Sequence, residues 1–224
     1  IVQVSALHCS SAVRGWRTRA VVDVANGLNA DLVCLTGDYV DGKIASLSDD
    51  LLPLKDLKAK DGVCCVRGNH EYYLDHEAWW NWFAAQGFRF LTNECVFPRP
   101  GLAVAGVPDI SGFQHRSDVA PDARGAFAAA TNGEFRVLLQ HRPKGAQANC
   151  RELGVDLQLS GHTHGGVAPI VRWVVWRFNG GYLRGLYRIG DSYLHVSPGC
   201  GQWVGFPMRF FNDSEITLLT LRRK

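Results

Sequence analysis

Charge of one sign is not in excess in this chain: 24 Lys and Arg stand against 21 Asp and Glu, a net +3, and no basic stripe runs along it. That balance disfavours nucleic acid as a partner, which calls for a clustered cationic footprint. No run of about 18 apolar residues is present to span a bilayer. The seven cysteines (Cys9, Cys34, Cys64, Cys65, Cys95, Cys150 and Cys200) contain no CxxC pair, which argues against a zinc cluster built from them. Cys34 and Cys64 lie in apolar, strand-like runs where a thiol behaves as a small hydrophobe. An odd set of reduced thiols points to a reducing compartment, cytoplasmic or on the cytoplasmic face of a membrane. No secretory leader, internal repeat or low-complexity segment occurs. The chain opens inside a strand-like run, residues 1–4, so an upstream segment is expected, and any membrane anchor would lie there. The closing Arg222-Arg223-Lys224 reads as a solvated tail.

What is present suits one α/β domain over residues 1–224, at 46% hydrophobic and 20% charged. Short apolar runs at 1–7, 32–36, 62–66, 88–91, 135–139 and 155–159 read as strands. Helical spacing covers 17–28, and Asp49 or Asp50 is expected to cap a helix that tolerates Pro53 in its first turn. Asp75 should start a helix carrying Trp79, Trp80, Trp82 and Phe83. Two strands should turn at 98–101, helices should cover 118–130 and 145–153, and the end of the chain reads as β-rich, with strands at 186–189, 193–196 and 215–221.

The chemistry concentrates after the strands. The stretch 159–166 carries His162 and His164 one residue apart between glycines. On extended backbone, imidazoles at i and i+2 point the same way. Taken alone, such a turn reads equally as one that hydrogen-bonds to itself, but it does not stand alone. His8, Asp38, Asn69 and His141 each follow a different expected strand, and ligands of open α/β sheets gather at the carboxyl ends of strands. Separate histidines and acids at five such ends are poorly explained as core filling; they suit a metal. Mixed oxygen and nitrogen donors favour Mn, Fe or Zn over Ca.

Ala6-Leu7-His8, Gly37-Asp38-Tyr39-Val40-Asp41, Gly68-Asn69-His70-Glu71, His141 and Gly161-His162-Thr163-His164 together resemble the calcineurin-like metallophosphoesterases, whose pattern is DxH, GDxxD, GNH[DE], a lone H and GHxH. The later stretches 185–187 and 196–199, and Pro207 ahead of 215–218, look like the bacterial stand-alone, often membrane-anchored branch. The resemblance implies an α/β, four-layer α-β-β-α fold, a two-sheet β-sandwich flanked by helices. It implies two divalent metal ions bridged by Asp38, the first held by His8 and His164, the second by Asn69, His141 and His162. A water activated between them would attack phosphorus. His70 would act as general acid, oriented by Asp41. Glu71 is expected to support the ligands rather than bind metal.

One position departs from the family. Ala6 stands where the pattern has its first Asp. On a strand, residues 6, 8 and 10 share a face, so the missing carboxylate would have pointed at the first metal. Ser10 is a poor substitute, and Cys9 should point away. The expectation is weakened occupancy there and reduced turnover. A ligand removed so as to trap substrate is favoured because the other ligands are intact; a naturally degenerate site is the alternative.

The implied activity is metal-dependent hydrolysis of a phosphate mono- or diester, with a lipid-linked phosphate such as a UDP-diacylglucosamine-type pyrophosphate as one version. The rivals are a nuclease on the same metals and a non-catalytic ligand-binding or regulatory protein with a spoiled site. For substrate, Arg116, beside His115, is a candidate phosphate contact, and Trp173 and Trp176 in the stretch 169–178 are candidate lipid or membrane contacts. That stretch reads equally as a packed strand pair, and Arg116 equally as plain surface. The stretch 203–207 is a second candidate surface. Tyr72, Tyr73 and the cluster Trp79-Trp80-Trp82 either wall the cleft or fill a core. No oligomeric state is encoded legibly.

Overall fold

Short strands, most of them buried on both faces, build two sheets, and helices close their outer faces. The computed structural model describes residues 1–203, 205, 209 and 212–222. Val204, Phe206, Pro207 and the terminal Arg223-Lys224, which belong to the expected 203–207 surface, the family-like tail and the basic end, lie outside the described residues.

The first sheet has four strands: β1 (Val2–Val4), β2 (Val33–Leu35) and β3 (Val63–Cys65) run parallel, and β10 (Thr217–Leu218) pairs antiparallel with β1. The second has six, in the order β4 (Glu94–Arg99), β5 (Leu102–Gly106), β6 (Phe135–Leu139), β7 (Leu157–Ser160), β9 (Ser192–Val196) and β8 (Gly185–Ile189). Strands β5, β6, β7 and β9 are parallel, and the two edge strands are antiparallel to them. The helices are α1 (Gly15–Gly27), α2 (Ile44–Leu51), α3 (His76–Ala85), the short α4 (Ile110–Gln114) and α5 (Ala123–Ala126), α6 (Ala146–Glu152) and α7 (Arg172–Phe178).

Period-two alternation assigns each strand residue to one of two cores. Val33 and Leu35 face α1 and α3, packing with Val21, Val22, Trp79 and Phe83. Cys34 faces the other way, into the layer between the sheets, with Val66, Val104, Val137, Leu139 and Leu159. On the far side, Ala103, Ala105 and Leu138 pack against Ala126 and Phe127, while Leu194 and Val196 pack with Ala146 and Cys150. These are the four layers expected of the fold.

Several local expectations are corrected. Asp49 and Asp50 lie inside α2 and do not cap it. Asp50 instead accepts a hydrogen bond from the Gly15 backbone N–H at 2.8 Å and pairs with Arg14, so its carboxylate serves the start of α1. Residues 88–91 form only one bridge, Phe90 to Cys65, in place of a strand. Of 118–130 only Ala123–Ala126 is helical, capped by Asp122, and the Asp118 carboxylate binds Tyr72 Oη (2.6 Å) and Arg67 (2.9 Å) outside it. The stretch 169–178 is a turn leading into a helix, not a strand pair. The last strand is two residues long. No helix among the described residues is long and apolar enough to cross a membrane.

Candidate metal centre

The carboxyl ends of five parallel strands meet along one rim of the sandwich. Strand β1 leads to His8, β2 to Asp38, β3 to Asn69 and His70, β6 to His141, and β7 to His162 and His164. The chain leaves these strands through left-handed backbone: Ala6, His8, Asp38, His162 and His164 all have φ between 48° and 72°. Such conformations strain ordinary residues and persist only where the surroundings enforce them. Strand alternation therefore does not apply to Ala6 and His8, since β1 already ends at Val4, nor to the 162/164 pair. Ala6 is buried against Gly199 and His8 reaches the cluster by its own turn. Ser10 is occupied in a turn, its hydroxyl accepting from the Val13 N–H at 3.0 Å, and Cys9 faces the α1 core as expected. Two glycines make the crossing possible. A Cβ on Gly68 would sit 2.2 Å from Asp38 Oδ1, and one on Gly37 would sit 2.7 Å from His141 Nδ1.

The two histidines of the GHTH turn separate. His164 joins His8 and Asp38, whereas His162 joins Asp38 and His141, with the donor atoms of each group all within 4.8 Å of one another. Asp38 is common to both groups. His8 Nε2 lies 3.0 Å from His164 Nε2 and 3.7 Å from Asp38 Oδ2. His141 Nε2 lies 3.0 Å from the same Oδ2. That contact is an ion pair, and neither His141 Nε2 nor the buried Asn69 Oδ1 makes a hydrogen bond.

The opposite ring nitrogens explain why. His141 Nδ1 donates to the Thr36 carbonyl at 2.7 Å, which ties the second sheet to the first and leaves the Nε2 lone pair directed into the cluster. His8 Nδ1 donates to Asp41 Oδ1 at 3.0 Å, with the same consequence. Two imidazole nitrogens 3.0 Å apart need a proton or a cation between them. Asn69 Nδ2 donates to Tyr73 Oη at 2.9 Å, and its oxygen is buried without a hydrogen bond. Imidazole nitrogens around a buried carboxylate, with an amide oxygen left free in the adjoining turn, fit a divalent cation.

Burial disfavours charge throughout, but its effect is uneven. At Asp38 it is outweighed by His141, His70 and His8, and the carboxyl is held well below its usual range. Burial also works against a proton on His141, yet Asp38 and Asp109 outweigh it and push that ring up to about 9; the proton takes a place a cation would compete for. His162 is pushed down to about 3 by burial, His141 and Arg142, and His164 is lowered by burial and His8. At both rings burial and the neighbouring groups work against a proton, the direction a metal donor requires.

His70 is the outermost of the group, 15% exposed. Its Nδ1 meets Asp41 Oδ1 at 2.5 Å, so one oxygen holds both His8 and His70. Burial lowers the His70 pKa, but Asp41 and Asp38 outweigh it and the net shift is upward. Trp203 and Tyr73 stand edge-on to its ring, at 6.2 and 5.0 Å between centroids, and the ring of His115 meets Tyr73 at 6.2 Å. Arg116 follows His115 on this exposed side. Trp173 and Trp176 ride on α7, where both are exposed. Trp79 is core, while Tyr73 walls the opening.

Glu71 is fully buried and accepts from the backbone N–H groups of Asp38 (2.9 Å), Tyr39 (2.6 Å), Gly68 (2.7 Å) and Val40 (3.4 Å). It holds the β2 and β3 loops together, the supporting role expected of it. The Thr36 carbonyl and the Asp109–Arg142 pair (2.8 Å) carry no sequence signal and were not anticipated.

The model of the calcineurin-like phosphoesterase family matches residues 1–166. The chain belongs to that family. The family uses divalent metals and acts on phosphate esters, so this is a metallophosphoesterase domain with candidate His and Asp donor groups in place. An uncharacterized metallophosphoesterase of Helicobacter pylori is 35% identical over all of the chain, which spans 60% of that relative. One from Aquifex aeolicus is 31% identical, with 85% of its length covered. A Danio rerio relative named as a transmembrane protein with metallophosphoesterase domain is 32% identical, with 53% covered. A Staphylococcus aureus structure described as a 5'-nucleotidase shares the fold, with a TM-score of 0.54 over 89% of this chain and 48% of that one at 12% identity.

Proposed function

We propose that residues 1–224 form one domain that hydrolyses phosphate mono- or diesters with water activated by divalent metal. The observation that carries this is the Asp38 carboxylate shared by two donor groups, His8 with His164 and His141 with His162, together with two buried atoms that make no hydrogen bond, His141 Nε2 and Asn69 Oδ1. In this reading Asp38, Asn69, His141 and His162 hold the better-ligated cation. His8, Asp38 and His164 form the other position, which lacks one anionic ligand because residue 6 is alanine. Manganese, iron or zinc suits these donors. Divalent metal supplies a lowered water pKa and neutralises phosphoryl oxygens.

The chain's own residues do the rest. His70, fixed through Nδ1 by Asp41, presents Nε2 outward and gives its proton to the leaving oxygen. Asp41 sets the tautomers of both His70 and His8. Tyr73 and Trp203 flank the leaving-group side, and Arg116 meets a non-reacting part of the substrate. A lipid-linked phosphate, met by a domain in contact with the cytoplasmic face of a membrane, is the finer version of the substrate.

The test restores the carboxylate. Ala6→Asp and the unaltered chain are compared by calorimetric manganese titration and by hydrolysis of a chromogenic phosphodiester. The expected result is one tight manganese in the unaltered chain, two in Ala6→Asp, and hydrolysis at least roughly tenfold faster in the latter. Two fully occupied sites with unchanged activity would refute the role given to residue 6. Tight metal without hydrolysis in either protein would favour the non-catalytic, ligand-binding alternative, which Ala6 supports.

A further inference from the structure

Helix α7 breaks the rule that a short surface helix turns its apolar stripe inward. Not one of its seven residues is buried. Trp173, Val174 and Phe178 in α7, and Ile170 on the turn before it, are spaced at i, i+3, i+4 and i+8, and Arg177 lies among them on that side of the helix. That face points to solvent, with Ile170 91%, Trp173 69% and Phe178 70% exposed. Contiguous exposed apolar side chains of this size mark an interaction site, unlike lone ones elsewhere on a surface.

The helix is nonetheless held in place. The stem of Arg172 lies against Gly166, where a Cβ would meet Arg172 Cγ at 2.8 Å. The Trp176 indole lies against Gly181, where a Cβ would sit 3.6 Å from the ring. The Gly181 N–H closes on the Trp176 carbonyl at 2.9 Å. The anchoring contacts are therefore on one side and the apolar stripe on the other. Gly166 is two residues beyond His164, so the helix is tethered beside the donor cluster.

Charge selects the occupant. Between Asp156 and Asp191 no acidic residue occurs, while Arg172, Arg177, Arg184 and Arg188 do. Within α7 the arginines flank Trp173 and Trp176. Tryptophan settles at headgroup depth, and arginine pairs with headgroup phosphate. A seven-residue helix offers a fraction of the roughly 800 Å² per partner that a stable protein interface takes. A bilayer makes no such demand, because in-plane helices bind it through modest apolar insertion plus attraction to anionic lipid.

We infer that α7 docks on an anionic lipid bilayer, with Ile170, Trp173, Val174 and Phe178 inserted at the headgroup boundary and Arg177, on the same side of the helix, on the lipid phosphates. Docking depends on this face and not on the hydrolysis assigned to the donor cluster.

Flotation with vesicles tests it, using the full chain. Vesicles of phosphatidylcholine alone are compared with an equal mixture of phosphatidylcholine and phosphatidylglycerol. The unaltered chain is expected to float with the mixed vesicles and weakly with the neutral ones. Ile170→Ser/Phe178→Ser should partition at least about tenfold less, with an unchanged thermal midpoint and unchanged hydrolysis of a soluble phosphodiester. Arg177→Gln should weaken the preference for anionic lipid, and a preference left unchanged would overturn the role given to that arginine. An unaltered chain that stays unbound, or a serine variant that floats equally well, would overturn the inference. So would a serine variant whose sedimentation falls from dimer to monomer, since a second copy would then be what covers the face. Vesicle binding as expected with no hydrolysis in any variant would sink the phosphoesterase reading alone.

Discussion

Replacing Glu71 by glutamine removes a charge without removing volume, and the structure sets the cost. Oε2 accepts from the N–H groups of Asp38 and Gly68, and Oε1 from those of Tyr39 and Val40. Whichever way the amide turns, its NH₂ faces two of these donors. A buried N–H left without an acceptor costs roughly 1–3 kcal/mol, so two cost about 2–6 kcal/mol. For a domain of this size each kcal/mol moves Tm by roughly 2–4 °C, which gives an expected fall of about 10 °C. Burial and the nearby Asp38 carboxylate raise the Glu71 pKa, and the backbone N–H groups of Gly68, Tyr39 and Asp38 work against that rise. The second consequence is functional. The Asp38 N–H is one of the four donors, its backbone is left-handed at φ 59°, and its carboxylate belongs to both donor groups. Loss of its anchor should weaken manganese binding by roughly 10–100-fold, the usual effect of losing a support behind a ligand. Thermal unfolding followed by circular dichroism and calorimetric manganese titration measure the two effects. A Tm within about 2 °C of the parent with unaltered manganese affinity would refute the reasoning.

His70→Gln should retain manganese and lose roughly 10²–10³-fold in hydrolysis of alkyl phosphates, with a smaller loss for nitrophenyl esters, whose leaving oxygen needs no proton; equal losses on both would remove His70 as the acid. Asp41→Asn should weaken manganese binding as well as hydrolysis, because one oxygen holds both His8 and His70; intact metal affinity, measured by calorimetry, would limit Asp41 to His70. Trp79→Ala should cost about 3–5 kcal/mol in urea unfolding, since Trp79 is fully buried and its Nε1 donates to the Gly42 carbonyl at 3.0 Å; a loss below about 1 kcal/mol would mean that the α3 core relaxes around the gap.

Order along the chain was enough to name the strands that carry the donors and the residues that follow them. A buried parallel strand writes itself as an apolar run, and a ligand at its carboxyl end comes within a few residues of that run, so 32–36 followed by Asp38, or 135–139 followed by His141, is legible locally. Contacts between distant segments are not written that way. Asp50 reads as a cap for its own helix, and only folding brings it to Gly15, 35 residues away, to serve another. His162 and His164 read as a pair facing one way; left-handed backbone at both sends them to different groups. No local pattern marks the Thr36 carbonyl as the partner of His141, because its position depends on how the two sheets stack. The apolar residues of 169–178 are plain in the sequence, but their exposure is not. Periodicity shows that a helix has an apolar face; the packing around it decides whether that face meets the core or the solvent.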